Sequence, residues 1–138
     1  MQDLPPDPAA PRRRKLLWAA FFWLLWGAFL IVWTIGLLSS VPVEITSSIP
    51  RQTRFYSGKT LHVAAYAFLA AVVCWLPSRW GVRAALWLGL VGHGALTEYL
   101  QQFVEGRTGQ LSDVGLDAAG VLLGLAAGLA VRRLTGRA

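Results

Sequence analysis

The chain has 138 residues, with 13 Lys and Arg against 7 Asp and Glu, 55% hydrophobic residues and only 14% charged ones, where a soluble domain carries about 25% charge. That composition argues against a soluble globular domain. It also argues against a nucleic-acid binder, because 7 of the 13 basic residues sit in two clusters beside apolar runs, Arg12-Arg13-Arg14-Lys15 and Arg132, Arg133, Arg137.

Residues 1–11 hold four prolines and no core-forming period, so residues 1–15 are expected to be a disordered basic tail ahead of a single membrane domain over 16–138. Leu16 to Leu38 follows, 23 uncharged residues that include Trp18, Trp23, Trp26 and Trp33. It is apolar all round and long enough to cross a hydrocarbon core of about 30 Å. A signal peptide would have an apolar stretch of only about 7–15 residues and a small-residue cleavage site, so the segment reads as a span. Ser39 to Ser57, broken by Pro42 and Pro50, reads as an exposed connection. Thr60 to Leu76 is a second apolar run, at the short limit for crossing, and Pro77 ends it. Cys74, the single cysteine, lies in that run, so no intramolecular disulfide and no cysteine metal site can be built. Trp80 to Phe103 gives a third run, Glu105 to Gln110 a glycine turn, and Ser112 or Asp113 is expected to cap a fourth helix ending near Val131. The reading is all-α: a bundle of four transmembrane helices with spans at about 16–38, 60–76, 82–103 and 113–131.

Basic residues set the orientation. With the N-terminus inside, Arg12, Arg13, Arg14, Lys15, Arg79, Arg83, Arg132, Arg133 and Arg137 lie on one side, against Arg51, Arg54, Lys59 and Arg107 on the other. Both termini are therefore expected in the cytoplasm of a bacterial cell with the protein in its inner membrane. The first long loop and the glycine turn then face outward.

Helical spacing selects the polar residues that can meet. Lys59, His62 and Tyr66 form one stripe at the outer end of the second span, and Glu98 and Gln102 form another on the third. On the fourth, Asp113 and Asp117 continue into Gly120, Gly124 and Gly128. Small residues four apart let helix backbones approach closely in lipid. That face is expected to hold both aspartates inside the bundle, and it is also a candidate contact for a homo-oligomer. His62, Lys59 and Arg107 are the cations at matching depth. His93 lies off the Glu98 stripe and reads as a packed neutral histidine, its flanking Gly92 and Gly94 as packing residues. Of the two aspartates, Asp113 is nearer the helix start, where a carboxylate is favoured, so Asp113 is expected to matter more than Asp117.

The ordered series Lys59-x-x-His62-x-x-x-Tyr66, Glu98-x-x-x-Gln102, Gly106-Arg107 and Ser112-Asp113-x-x-x-Asp117-x-x-Gly120-x-x-x-Gly124 resembles the VanZ-like family of small integral membrane proteins, named after a protein associated with teicoplanin resistance. The resemblance covers roughly residues 59–124. Two positions depart from it, Gly58 where Asp usually precedes the Lys, and Asp117 where Asn is usual. It implies a multi-helix membrane protein of the cell envelope with an outward polar cluster and a link to glycopeptide antibiotic resistance; no activity comes with it.

The expected function is binding, with or without modification, of a phosphate- or glycan-bearing lipid headgroup or lipid-linked envelope precursor. His62, Glu98 and Asp113 are the candidate catalytic groups. Lys59, Tyr66, Gln102, Arg107, Ser112 and Asp117 are the candidate binding groups, with the glycine turn adding backbone N–H donors. No metal-spacing motif supports a divalent ion among His62, Glu98 and Asp113, so neither a metal nor a cofactor is expected. Two other classes compete: proton or ion coupling, against which the inner halves of the spans carry no acid, and a non-catalytic assembly role.

Overall fold

A computed structural model describes residues 10–40, 50–107 and 109–136. Four helices make up the described chain: α1 (Ala10–Leu38), α2 (Arg51–Val73), α3 (Trp80–Gln101) and α4 (Leu111–Leu134). The expected disordered stretch over residues 1–9 and most of the first loop, 41–49, lie outside the described residues.

Three helix starts differ from the sequence reading. α1 already contains the basic cluster of residues 12–15, and α2 begins nine residues before Thr60, at Arg51. Pro50, with ψ of 139°, sits just before α2, and Arg54 N–H reaches the Pro50 carbonyl at 3.1 Å to close its first turn. Residues 52–58 are all exposed, with Phe55 and Gly58 bordering the polar end of the bundle, so this stretch carries no apolar stripe. A pattern search keyed to apolar periodicity cannot register it. α4 also starts differently: Gln110 occupies the cap position without a side-chain hydrogen bond, and Asp113 lies in the first turn.

The directions of the helices follow from their contacts. Tyr66 meets His93 and Trp87 meets the Ala70 carbonyl, so α2 and α3 are antiparallel. Lys59 meets Asp113 while Gly128 lies against Cys74, so α2 and α4 are parallel. Thr34 meets His93 and the Leu37 carbonyl meets Gln101, so α1 and α3 are parallel. The helices thus alternate in direction. The ends of α1 and α3 and the starts of α2 and α4 meet at one end of the bundle, and Arg79, Arg83, Arg132 and Arg133 lie toward the other.

The tightest packing joins α2 and α4. A Cβ on Gly120 would lie 2.6 Å from the Val63 carbonyl oxygen, and one on Gly128 would lie 2.6 Å from Cys74 Sγ. One on Gly124 would overlap the Ala67 carbonyl. The glycine face read from sequence as a homo-oligomer contact is therefore occupied by α2 of the same chain, which leaves no room for a second copy at those three glycines. Below the polar end, Tyr66, Leu69, Val73, Leu76, Trp87, Leu90 and Val121 form the buried core. The α1 face packs on it through Trp23, Trp26, Leu30 and Trp33, with Trp26 Nε1 donating to the Leu69 carbonyl at 3.1 Å.

Outside this core the surface is apolar. Pro11–Leu38 and Leu111–Leu134 are long and apolar enough to cross a membrane. A core helix of a soluble protein passes the same test of length and composition, but there the apolar window is mostly buried. Here only 6% and 28% of the two windows are buried. Leu24, Val32, Leu88, Phe103 and Leu122 are each more than half exposed, and large exposed apolar surface of this kind marks a membrane or partner contact.

The α2–α4 seam generates a paired expectation. Gly124→Ala must displace a backbone carbonyl, and overpacking of that kind costs about 1–3 kcal/mol. Gly115→Ala on the same helix meets nothing within 4 Å and gains from better helix propensity, by about 0.5–1 kcal/mol. Thermal loss of helical circular dichroism in detergent should fall for the first and hold or rise for the second. Equal melting of the two would contradict the close seam.

Candidate functional site

At the polar end, the α2–α4 register sets the pairs. Lys59 Nζ lies 2.5 Å from Asp113 Oδ1 and 3.4 Å from Ser112 Oγ, and its ammonium sits 4.8 Å above the Phe55 ring. One turn deeper, His62 Nδ1–H donates to Asp117 Oδ1 at 2.9 Å. Asp117 is wholly buried, which it owes in part to Gly94 on α3: a Cβ there would lie 2.7 Å from Asp117 Oδ2. Of the two glycines beside His93, Gly94 is thus a packing residue, while a Cβ on Gly92 would meet open space. Glu98, one turn along from Gly94, places Oε1 3.9 Å from His62 Nδ1. Its Oε2 accepts the Gln110 backbone N–H at 2.9 Å. That N–H, at the start of α4, would otherwise lack a helical partner.

The cluster has a rim and a floor. Lys59 and Asp113, at 23% and 18% side-chain exposure, form the rim. His62, Glu98 and Asp117, at 11%, 4% and 0%, form the floor. Asp117, not Asp113, is the carboxylate on His62. Above the floor opens a cavity of about 190 Å³ lined by Phe55, Lys59, His62, Gln101, Arg107, Gln110 and Asp113, with Gly58 and Gly106.

Several residues singled out by sequence take other positions. Tyr66 is fully buried below the cavity, its hydroxyl 2.8 Å from His93 Nδ1. The other ring nitrogen, Nε2, lies 2.9 Å from Thr34 Oγ1. Thr34 has one hydroxyl proton, directed to the Leu30 carbonyl at 2.7 Å. Proton counting therefore makes Nε2–H the donor to Thr34 and leaves Nδ1 to accept from Tyr66. Gln102 is exposed and packs against Gly109 beside a separate hollow that Glu98 also borders. The amide on the cavity is instead Gln101, whose Nε2 donates to the Leu37 carbonyl at 3.1 Å. Arg107 lines the cavity while Nε and Nη2 donate to the Ser39 and Gly36 carbonyls at 3.3 and 3.0 Å. Two of its donors are therefore committed to the end of α1. Ser112 is exposed at the rim, its hydroxyl near Gln110 Oε1 and Asp113 Oδ1. In the glycine turn, Gly106 adopts φ of +75°, which favours glycine.

Gln101, Gln110 and Trp33, whose ring packs edge-on 5.6 Å from the His62 ring, complete the site beyond the residues that the sequence placed in it. Gln101 was within reach of the same argument: it stands i+3 from Glu98, where Gln102 stands i+4, and both spacings share a helix face. Family models, curated proteins and solved structures were each compared with this chain, and none matches.

The rim pair is expected to be coupled. Lys59→Met and Asp113→Asn should each lower stability, and the double variant should recover about 1 kcal/mol relative to the sum, the scale of a partly exposed ion pair. Strict additivity in chemical denaturation of the detergent-solubilised protein would show that the two side chains do not interact.

Proposed function

We propose that this chain is a VanZ-like integral membrane protein of a bacterial cell envelope, with four spans, both termini in the cytoplasm of the inner-membrane-bound protein, and an outward cavity that holds the headgroup of a lipid or lipid-linked precursor. The observation that carries the lipid reading is the junction at Lys59. That residue borders both the polar cavity and an open apolar groove of about 330 Å³, lined by Thr60, Val63, Ala64 and Leu116 between α2 and α4. A headgroup in the cavity would put its acyl chain in the groove, on the lipid-exposed flank.

Size and chemistry narrow the headgroup. Pockets for drug-sized ligands run to about 300–1,000 Å³, so a cavity of about 190 Å³ takes a phosphate or a single sugar unit, not a whole lipid. Lys59 and Arg107 supply positive charge, Gln101 and Gln110 amides, and Asp113 an acceptor. This is a lining suited to a phosphate carried on a hydroxylated group. His62, oriented by Asp117, is the group placed to exchange a proton with the bound headgroup. Alternating helix direction supports the four-span topology, since it sends the basic clusters to one end and the cavity to the other. A link to glycopeptide resistance would follow if the headgroup belongs to an envelope precursor.

Lys59→Met is expected to weaken binding of an anionic headgroup analogue by about tenfold, on the order of the 1.4 kcal/mol that a charge-assisted contact supplies. Arg107→Lys should weaken it too, because lysine cannot hold two α1 carbonyls and face the cavity at once. Equal affinity of the purified protein for anionic and neutral headgroup analogues would remove the reading. For topology, a reporter fused after Ala138 should remain cytoplasmic, and its efficient export would overturn the orientation.

A further inference from the structure

Two carboxylates and one imidazole converge on the floor of the site. Glu98 is 3% exposed, and its Oε1, buried and without a hydrogen-bond partner among the described residues, faces His62 Nδ1 at 3.9 Å. Asp117 is 0% exposed and holds His62 Nδ1 through Oδ1 at 2.9 Å, while its Oδ2 likewise has no partner among the described residues. One ligand atom from each of His62, Glu98 and Asp117 lies within 4.8 Å of the other two. The nearby ammonium of Lys59 is engaged by Asp113. A single imidazole thus faces two buried carboxylates, and buried charge of this kind is stable when it is paired or coordinates a metal.

We propose that His62 Nδ1, Glu98 Oε1 and an Asp117 carboxylate oxygen bind one divalent transition-metal ion of the zinc class. Imidazole nitrogen and carboxylate oxygen are ligand types that zinc takes, and three protein ligands is the count in zinc sites that keep an exchangeable position. A purely hard ion such as Mg²⁺ prefers an all-oxygen shell. Metal–ligand bonds of about 2.1 Å at tetrahedral angles place ligand atoms about 3.4 Å apart. The observed 2.9 and 3.9 Å separations from His62 Nδ1 bracket that value, and the two carboxylates lie within 4.8 Å of each other, so modest side-chain movement brings all three onto one ion. As the metal–nitrogen bond forms, the Nδ1 proton of His62 leaves to solvent. The Gln110 N–H on Glu98 Oε2 fixes the carboxylate from behind, as outer-shell partners of metal ligands do. This assignment differs from the set His62, Glu98 and Asp113 weighed from spacing, because Asp113 stands at the rim with Lys59. It does not rest on the headgroup reading, and its test contains no lipid ligand, so either idea can fail alone.

The full-length protein in detergent, stripped with a chelator and dialysed against Zn²⁺, should retain about one ion per chain by elemental analysis. Co²⁺ should give the intense visible bands of a four- or five-coordinate site. Asp117→Asn and Glu98→Gln should each weaken binding by about a hundredfold or more, beyond the 10–100-fold that outer-shell partners command, while Asp113→Asn should change it by less than about threefold. If those ligand variants lose their helical circular dichroism, X-ray absorption of the zinc-loaded wild type decides, with one imidazole and nitrogen or oxygen neighbours only. Overturning results are a wild type that retains no ion, a Co²⁺ spectrum of the hexa-aqua kind, or loss of binding in Asp113→Asn with retention in Asp117→Asn.

Discussion

A carboxylate on the glycine seam is the constraint around which the rest is arranged. Gly120, Gly124 and Gly128 bring α4 against α2 so closely that the register cannot slide, with Val63 opposite Gly120 and Ala67 opposite Gly124. Asp117 stands three residues before Gly120 and His62 one before Val63, so the seam carries the acid to the imidazole. Buried in apolar surroundings, an unpaired carboxylate would cost several kcal/mol. The third helix must therefore make room for it at Gly94, and Glu98 follows one turn on. Packing thus positions the chemistry: the backbone contact fixes depth, and the side chains at that depth become the floor of the site.

The helix ends contribute the other half. Four termini meet at the cavity, the C-terminal ends of α1 and α3 and the N-terminal ends of α2 and α4. Their unmatched backbone groups need partners. Gln101 and Arg107 take the Leu37, Gly36 and Ser39 carbonyls at the end of α1, and Glu98 takes the Gln110 N–H at the start of α4. A cation at a helix C-terminus and an acid at an N-terminus also suit the helix dipoles. These polar residues line the site and close the bundle at once, so a substitution among them alters cavity shape and helix docking together.

How far the site was legible in the sequence follows from the kind of signal each residue carries. Lys59, His62, Glu98, Asp113 and Asp117 could be grouped because charge within apolar runs is costly and helical spacing orders it. Spacing could not decide between Gln102 and Gln101, because offsets of three and four share a face, and only the end of α3 sets which of them lines the cavity. Arg107 was legible as a cation at the right depth, while its hold on α1 was not, since it depends on where α1 ends relative to a turn some seventy residues away. The first turns of α2 were missed because their exposed residues carry no apolar stripe. Tyr66 was placed on the correct stripe, but a stripe has depth as well as direction, and the hydroxyl points down to His93 instead of up to the cavity.

Depth also explains why the two aspartates differ. At the rim, Asp113 meets an ammonium with a long flexible stem in a partly wet place, where either charge can find water if the other leaves. On the floor, Asp117 meets a short imidazole in a dry place, and the next charged neighbour is another carboxylate. An Asn at this position would bring a hydrogen-bonding group with no charge and leave His62 facing one acid. With Asp117 two carboxyl groups face the same imidazole, and an oxygen of Glu98 is left without a hydrogen-bond partner among the described residues. The burial of Asp117 and the unpartnered oxygen of Glu98 thus belong to one feature, two acids set against one imidazole at the depth that the glycine seam fixes.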